Sequence, residues 1–199
     1  MKKNNLSTIL IAPLIASAIT VACNKDNKLN NGSPSFHIAE SEKLAVPAEV
    51  SIPSNGPAGN TRVATYYAVG VQKYRAQGKT GTPGVYEWIF TAPKADLFNS
   101  SNVKVGTHGA GPYWALSPFD SIFGQAYTPA KTATPDVNSI PWLLLMPKTG
   151  KAPTGYFNYV SYIQRIATNG GKAPAAAPTS AADTVDVPYT AVYRFTRKN

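Results

Sequence analysis

Apolar and polar positions divide this chain into three stretches with different patterns. The first, Leu6 to Ala22, carries no charged residue and follows the basic pair Lys2-Lys3. The second, to about residue 45, is rich in Asn, Lys and Ser and poor in large apolar side chains. The third alternates with period two, the spacing of a strand buried on one face. From Arg62, Val63, Tyr67, Val69 and Val71 share one face. Ala64, Ala68, Gly70, Gln72 and Tyr74 share the other. Gln77 to Gly84 is a turn-rich loop. Val85 to Ala92 places Tyr86, Trp88 and Phe90 on one side, and Tyr189, Ala191, Tyr193 and Phe195 alternate with Thr190, Val192, Arg194 and Thr196. Shorter strands are predicted over 103–107, 114–116 and 122–127. The block Trp142 to Met146, between Pro141 and Pro147, is too short for most helices and fits a buried strand. Tyr156 to Thr168 is read as a strand on its β-branched and aromatic content.

Seventeen prolines and fifteen glycines punctuate these segments, which predicts a single all-β domain, a sandwich or a closed barrel with long loops. The three prolines between Val46 and Gly59 predict an extended lead-in to a sheet edge. One short helical turn is expected at Pro93 to Phe98, with proline at its start. Residues 170–182 form a low-complexity loop before the closing strand.

The first stretch has the parts of a secretory signal: a basic start, an apolar run and a small residue before the cut. Its 17 residues, broken by Pro13, fall short of a spanning helix, which needs roughly 20 apolar residues. It ends Ile19-Thr20-Val21-Ala22-Cys23. This resembles the lipobox of bacterial lipoproteins, with Thr20 where Leu is usual. The resemblance implies that residues 1–22 are a signal peptide and that the thiol of Cys23 takes a diacylglycerol before cleavage. Asn24-Lys25-Asp26-Asn27 resembles the short Lys-and-acid signal that sends some lipoproteins to the cell surface. The organisation expected is therefore a signal peptide over 1–22, a lipidated flexible tether over 23–45 and a β-domain over 46–199, anchored to the outer membrane and facing outward.

Charge changes this picture little. The chain from Cys23 keeps 17 of the 19 Lys and Arg, having lost Lys2 and Lys3, against 10 acids, a net charge of +7. The positive charge is scattered, whereas a nucleic-acid binder needs a dense patch or stripe, so no nucleic-acid partner is expected. Cys23 is the single cysteine, and its acylation leaves no disulfide. A chain of this size holds a core without one.

Chemistry-bearing residues are sparse. Metal binding needs several ligands; His108 with Asp120 and Glu87 is the one grouping to weigh, and neither metal nor cofactor is expected. Nucleophilic catalysis would need His108 as base for Ser121 with Asp120 as orienter, which makes an exported hydrolase the competing reading. Aromatic side chains give the stronger hint, since they stack on sugars and apolar ligands. The segment Gly106 to Asp120 is the predicted site: its glycines and Pro112 shape a loop that also carries His108, Tyr113 and Trp114 and ends at Asp120. Arg165 is the charged candidate. Paired with Asp120 it would be structural; beside His108 in an open cleft it would be functional. The expected function is non-catalytic: a lipid-anchored domain that binds a glycan or small molecule, with the membrane as partner through its lipid.

Six motifs in order carry a family resemblance: Gly70-Val71-Gln72-Lys73-Tyr74; Trp88 to Leu97; Val105 to His108 with Gly111-Pro112-Tyr113-Trp114; Trp142 to Leu145; Tyr162-Ile163-Gln164-Arg165 with Thr168 to Pro174; and Tyr189 to Phe195. Over residues 46–196 the chain resembles the exported bacterial and fungal family called domain of unknown function 3455. The resemblance implies an exported domain and supplies neither reaction nor ligand. Many members carry a cysteine after the Gln-x-Tyr motif and another after the Gly-Gly-x-x-Pro loop, which implies a disulfide there. This chain has Arg75-Ala76 and Ala175-Ala176-Ala177 instead. Members also tend to have Asp-Gly-Ser after the Trp segment, where this chain has Asp120-Ser121.

Overall fold

A computed structural model describes residues 32–199. The expected signal peptide over 1–22, Cys23 and the rest of the expected tether up to residue 31 lie outside the described residues. Eight antiparallel strands follow one another around a closed barrel, each paired with the next and the last with the first. They are β1 (Asn60–Gly78), β2 (Tyr86–Phe98), β3 (Lys104–Gly109), β4 (Tyr113–Ser117), β5 (Asp120–Ala133), β6 (Trp142–Pro147), β7 (Val160–Gly170) and β8 (Thr184–Lys198). The all-β expectation holds, and the closed barrel is the form taken. Closure leaves no unpaired edge along the sheet.

Side chains alternate between the barrel interior and its outer surface. On β8, Tyr189, Ala191, Tyr193 and Phe195 point inward, as the sequence pattern groups them. On β1 the inward face is the one with small and polar residues: Tyr66 and Ala68 join the interior core and Gln72 is buried. Val69, from the valine-rich face, is exposed. Inward residues of facing strands share a narrow lumen, so a large group on one strand needs a small one opposite. Trp114 and Gly124 show this: a Cβ on Gly124 would come within 3.0 Å of the Trp114 ring and 3.4 Å of Ile163.

One barrel end is plugged. Phe157, in a single 3-10 turn after β6, is fully buried and packs on Phe195 with centroids 4.8 Å apart. Trp114, Leu97, Ile122 and Ile163 complete that core. This turn occupies the start of the predicted strand 156–168; the strand itself begins at Val160.

A second cluster lies on the outer face of β1, β6, β7 and β8, where Ile38 and Val50 cover Tyr67, Trp142, Leu144, Ile166 and Val192. The covering segment begins with helix α1 (Pro34–Ser41), capped by Ser33, whose hydroxyl accepts from the Phe36 N–H, and carrying Pro34 at its first turn. His37 stacks on Tyr67 with centroids 4.4 Å apart. Arg194 on β8 donates to the Ser41 carbonyl at 2.7 Å and pairs with Glu42 at 3.1 Å. Gln164 on β7 donates to the Val50 carbonyl at 2.7 Å. Residues 34–41, read from composition as flexible tether, are thus a docked strap. Two 3-10 turns, Ala48–Val50 and Gly56–Ala58, replace the extended lead-in.

The helical turn expected at 93–98 is also corrected: those residues belong to β2. Pro93 pairs with Gln72 on β1, while β3 reaches only as far as Ala95. It therefore sits where β2 has one partner strand, the position at which a missing N–H is tolerated.

Candidate functional site

The predicted site segment, Gly106 to Asp120, is the hairpin β3–β4 with its flanking turns. Its glycines serve that hairpin. Gly111 holds φ +136 in the turn, and a Cβ on Gly109 would strike the Tyr113 ring. β3 and β4 are short, six and five residues against thirteen in β2 and fourteen in β5. The barrel wall is therefore low over this hairpin. Beneath it, at the end opposite Phe157, the lumen holds a cavity of about 390 Å³. Its walls come from β2 (Phe90, Thr91, Pro93), the hairpin turn (Gly111, Pro112), Ala126, Leu143 and Leu145. Gln72, His108, Trp114, Arg165 and Tyr193 supply its polar groups.

Register explains why these side chains meet. Ala95, His108, Trp114 and Ile122 are neighbours across β2 to β5. Leu143, Arg165 and Tyr193 are neighbours across β6 to β8. His108 is only 3% exposed and lies flat on Trp114, centroids 4.6 Å apart. Its Nδ1 is 2.7 Å from the Tyr113 carbonyl, so Nδ1 carries the proton, and Nε2 then accepts from the Tyr193 hydroxyl at 3.0 Å. Burial pushes its pKa down to about 4, and the nearby charge of Arg165 adds to the effect, against the carbonyl of Tyr113. The imidazole is neutral at physiological pH with both nitrogens engaged.

Arg165 faces inward on β7. Its Nε and Nη2 both donate to the Pro141 carbonyl, at 3.1 and 2.8 Å, which fixes the guanidinium plane. It takes part in no ion pair among the described residues, and no carboxylate lines the cavity. Its charge is felt by Tyr74, Tyr189 and Tyr193, whose phenols burial pushes up and Arg165 draws back. The Gln72 amide nitrogen and the Trp114 indole nitrogen are buried and donate to no protein acceptor in good geometry; the Tyr189 hydroxyl, beside Gln72 and Tyr193, is in the same position. Such groups cost roughly 1–3 kcal/mol each when left unsatisfied.

Of the residues singled out in the sequence, the structure brings His108, Trp114 and Arg165 into one cavity. Tyr113 contributes its backbone carbonyl, while its ring packs on Phe123, centroids 5.7 Å apart. Asp120 is not at this site. It stands at the β4–β5 turn, near the plugged end, where the Ser117 hydroxyl donates to it at 2.5 Å and the Tyr156 N–H at 2.8 Å. Those hydrogen bonds hold its pKa below the usual carboxylate range. Neither His108 nor Arg165 contacts it, and Ser121 bonds Thr154, so the geometry assembles no His108–Asp120–Ser121 triad. Glu87 does not join them, and among the described residues no group of three or more His, Cys, Asp or Glu could hold a metal. Sequence reading missed Gln72 and Tyr193 as site residues. Their signal was period-two alternation: each shares the inward face of its strand with core residues.

The fold and site define an eight-stranded, up-and-down antiparallel barrel, plugged at one end and hollow at the other, with polar groups converging on the hollow. The family of proteins of unknown function designated DUF3455 matches residues 57–197, and the chain belongs to it. The match begins just before β1 and ends in β8, so the barrel is the family unit and the α1 strap precedes it. Comparison with curated proteins and with solved structures finds no match. The Tyr74 hydroxyl donates to the Gly171 carbonyl at 2.6 Å, and Trp88 on β2 donates to the Ala176 carbonyl at 2.9 Å.

Proposed function

We propose that this chain is an exported, lipid-anchored binding protein whose barrel takes a small ligand into the hollow end without transforming it. One observation carries the reading: a concave, largely apolar cavity receives a few buried polar groups that other protein groups leave unsatisfied, the usual composition of a ligand site. Catalysis is disfavoured by the state of His108, which is neutral, buried and bonded at both nitrogens. A general base needs a free nitrogen within reach of a substrate proton. The anchor rests on the lipobox-like sequence ending at Cys23 and on the Asn24-Lys25-Asp26-Asn27 start. It would tether the barrel to the outer membrane, facing outward, with a glycan or small molecule as ligand and no nucleic acid.

The test of binding is a thermal-shift screen of glycans and metabolites against residues 32–199, which include the barrel and its strap. It is run in parallel on Ala126→Trp, which fills the cavity. The expected result is stabilisation by one ligand class, lost in the variant. Equal stabilisation of both proteins would place binding elsewhere and refute the reading. For the anchor, mass spectrometry of the membrane-extracted protein should find a diacylglyceryl group on an N-terminal Cys23, and Cys23→Ser should release the protein from the membrane fraction.

A further inference from the structure

We infer that the ligand of the hollow end is a small organic monocarboxylate with an apolar body, its carboxylate held by Arg165. The inference rests on the binding reading above and narrows it to a chemical class.

Three observations carry it. Arg165 is a cation inside a barrel, and such a charge is ordinarily paired. Here its neighbours are phenols, an imidazole and an amide, and no acid lines the cavity. The two bonds to the Pro141 carbonyl occupy Nε and one Nη2 hydrogen. The Tyr193 hydroxyl is within hydrogen-bond reach of the guanidinium, and no further carbonyl and no carboxylate is bonded to it among the described residues. The guanidinium is thus oriented before a ligand arrives, which lowers the ordering cost of binding. Second, the buried cavity-lining groups that lack a protein acceptor in good geometry are donors: the Gln72 amide and the Trp114 indole nitrogen. Donors and a cation together call for an acceptor-rich anion.

Third, the remaining wall is apolar apart from Thr91, whose hydroxyl donates to the Lys73 carbonyl at 3.0 Å. Phe90, Pro93, Pro112, Leu143 and Leu145 offer no partner to a second polar end. The ligand is therefore polar at one end. Charge selects among anions. One guanidinium balances a single negative charge, and no Lys lines the cavity. A phosphate dianion would bring a second charge into a low-dielectric site with nothing to balance it. A monocarboxylate matches both the charge and the fork of Arg165.

The experiment is calorimetric titration of residues 32–199 with two matched pairs: octanoate against octanamide, and benzoate against benzamide. Each amide keeps the apolar body and the size and removes the charge. At least one acid should bind roughly 10-fold or more tightly than its amide. Arg165→Gln should erase that preference while leaving amide affinity unchanged, and Arg165→Lys should restore part of it. Thermal unfolding of each variant checks that the barrel is intact. If amide and acid bind alike, or the Gln variant keeps the preference, the carboxylate inference is wrong and the binding cavity stands. If neither member of either pair binds, or both bind Ala126→Trp as well as the parent, the carboxylate inference falls together with the cavity reading.

Discussion

The two ends of this barrel are made by the same strands and have opposite interiors. Toward the β4–β5 and β6–β7 turns the lumen is filled with Phe157, Phe195, Leu97 and Ile163, and Phe157 closes it. Toward the β3–β4 turn it is lined by Arg165, Gln72, His108 and Tyr193 around open volume. A small barrel has room for about one layer of side chains across its lumen, so a strand sets its contribution by the size and polarity of each inward residue. β8 changes from Phe195 through Tyr193 to Tyr189. β7 changes from Ile163 to Arg165 within a single inward step. Stability is invested at one end, and buried polar groups are tolerated at the other. Such a division is expected where a site must remain open to a ligand while the fold is held elsewhere.

The contrast can be broken by mutation, and the largest effects should come from the plugged end. Phe195→Ala removes a fully buried ring that contacts Phe157, Trp114 and Tyr66. It should cost about 3–5 kcal/mol in chemical denaturation. Leu143→Ala, on the cavity wall, should cost clearly less, about 1–2 kcal/mol, because one side of Leu143 already faces open volume. Equal losses would erase the distinction between the ends.

Acid should act through the hollow end. The pKa of His108 is lowered to about 4 by burial, from an ordinary 6.5. Between those values the unfolded chain binds the proton and the folded chain does not, so stability falls as pH drops from about 6.5 to about 4. The full effect is of the order of 3 kcal/mol. Denaturation across this range should show the fall, and His108→Gln should flatten it. A slope unchanged in that variant would assign the acid sensitivity to other groups.

The strap offers a smaller effect. Arg194→Ala removes the bonds to Ser41 and Glu42. Since Glu42 is half exposed, no buried charge is stranded, and the loss should be about 1–2 kcal/mol. Amide exchange should quicken over residues 34–45 and stay unchanged around the cavity. Smallest of all, Lys73→Ala breaks a surface pair with Asp186 and should change stability by no more than about 0.5 kcal/mol.

Much of this architecture is legible in the alternation of the strands. Val192 and Arg194 alternate with Tyr193 and Phe195, and each set lies on its own side of the barrel wall. Polarity in the sequence is no guide to exposure here. The outer face carries Gln164, Arg194 and Tyr67, polar residues that α1 and the following turn at Val50 bury. The strap itself was hidden by its Asn- and Ser-rich neighbours, although Ser33-Pro34 is a helix-start signal and His37 and Ile38 pack it onto the barrel. Pro93 misled in the other direction, since proline at a helix start and proline on a half-paired strand look alike in one dimension. At the site, His108, Trp114 and Arg165 could be picked out by residue type. Asp120 could not be ruled out, because only register shows that it and His108 lie toward opposite ends. Gln72 and Tyr193 needed the closed barrel to bring β1 and β8 together.

The claim at the centre is that the hollow end receives a ligand, and the Trp114 indole reports on it most directly. The chain has three tryptophans. Trp114 lines the cavity, Trp142 lies under the strap on the outer face, and Trp88 donates to Ala176. Their indole N–H signals can be assigned by substitution in nitrogen-15 spectra and followed during an octanoate titration. The Trp114 signal should move saturably while those of Trp142 and Trp88 stay nearly fixed, and Ala126→Trp should abolish the movement. A Trp114 signal that stays still while octanoate binds, or three signals that drift together without saturation, would contradict the assignment of the hollow end as the binding site.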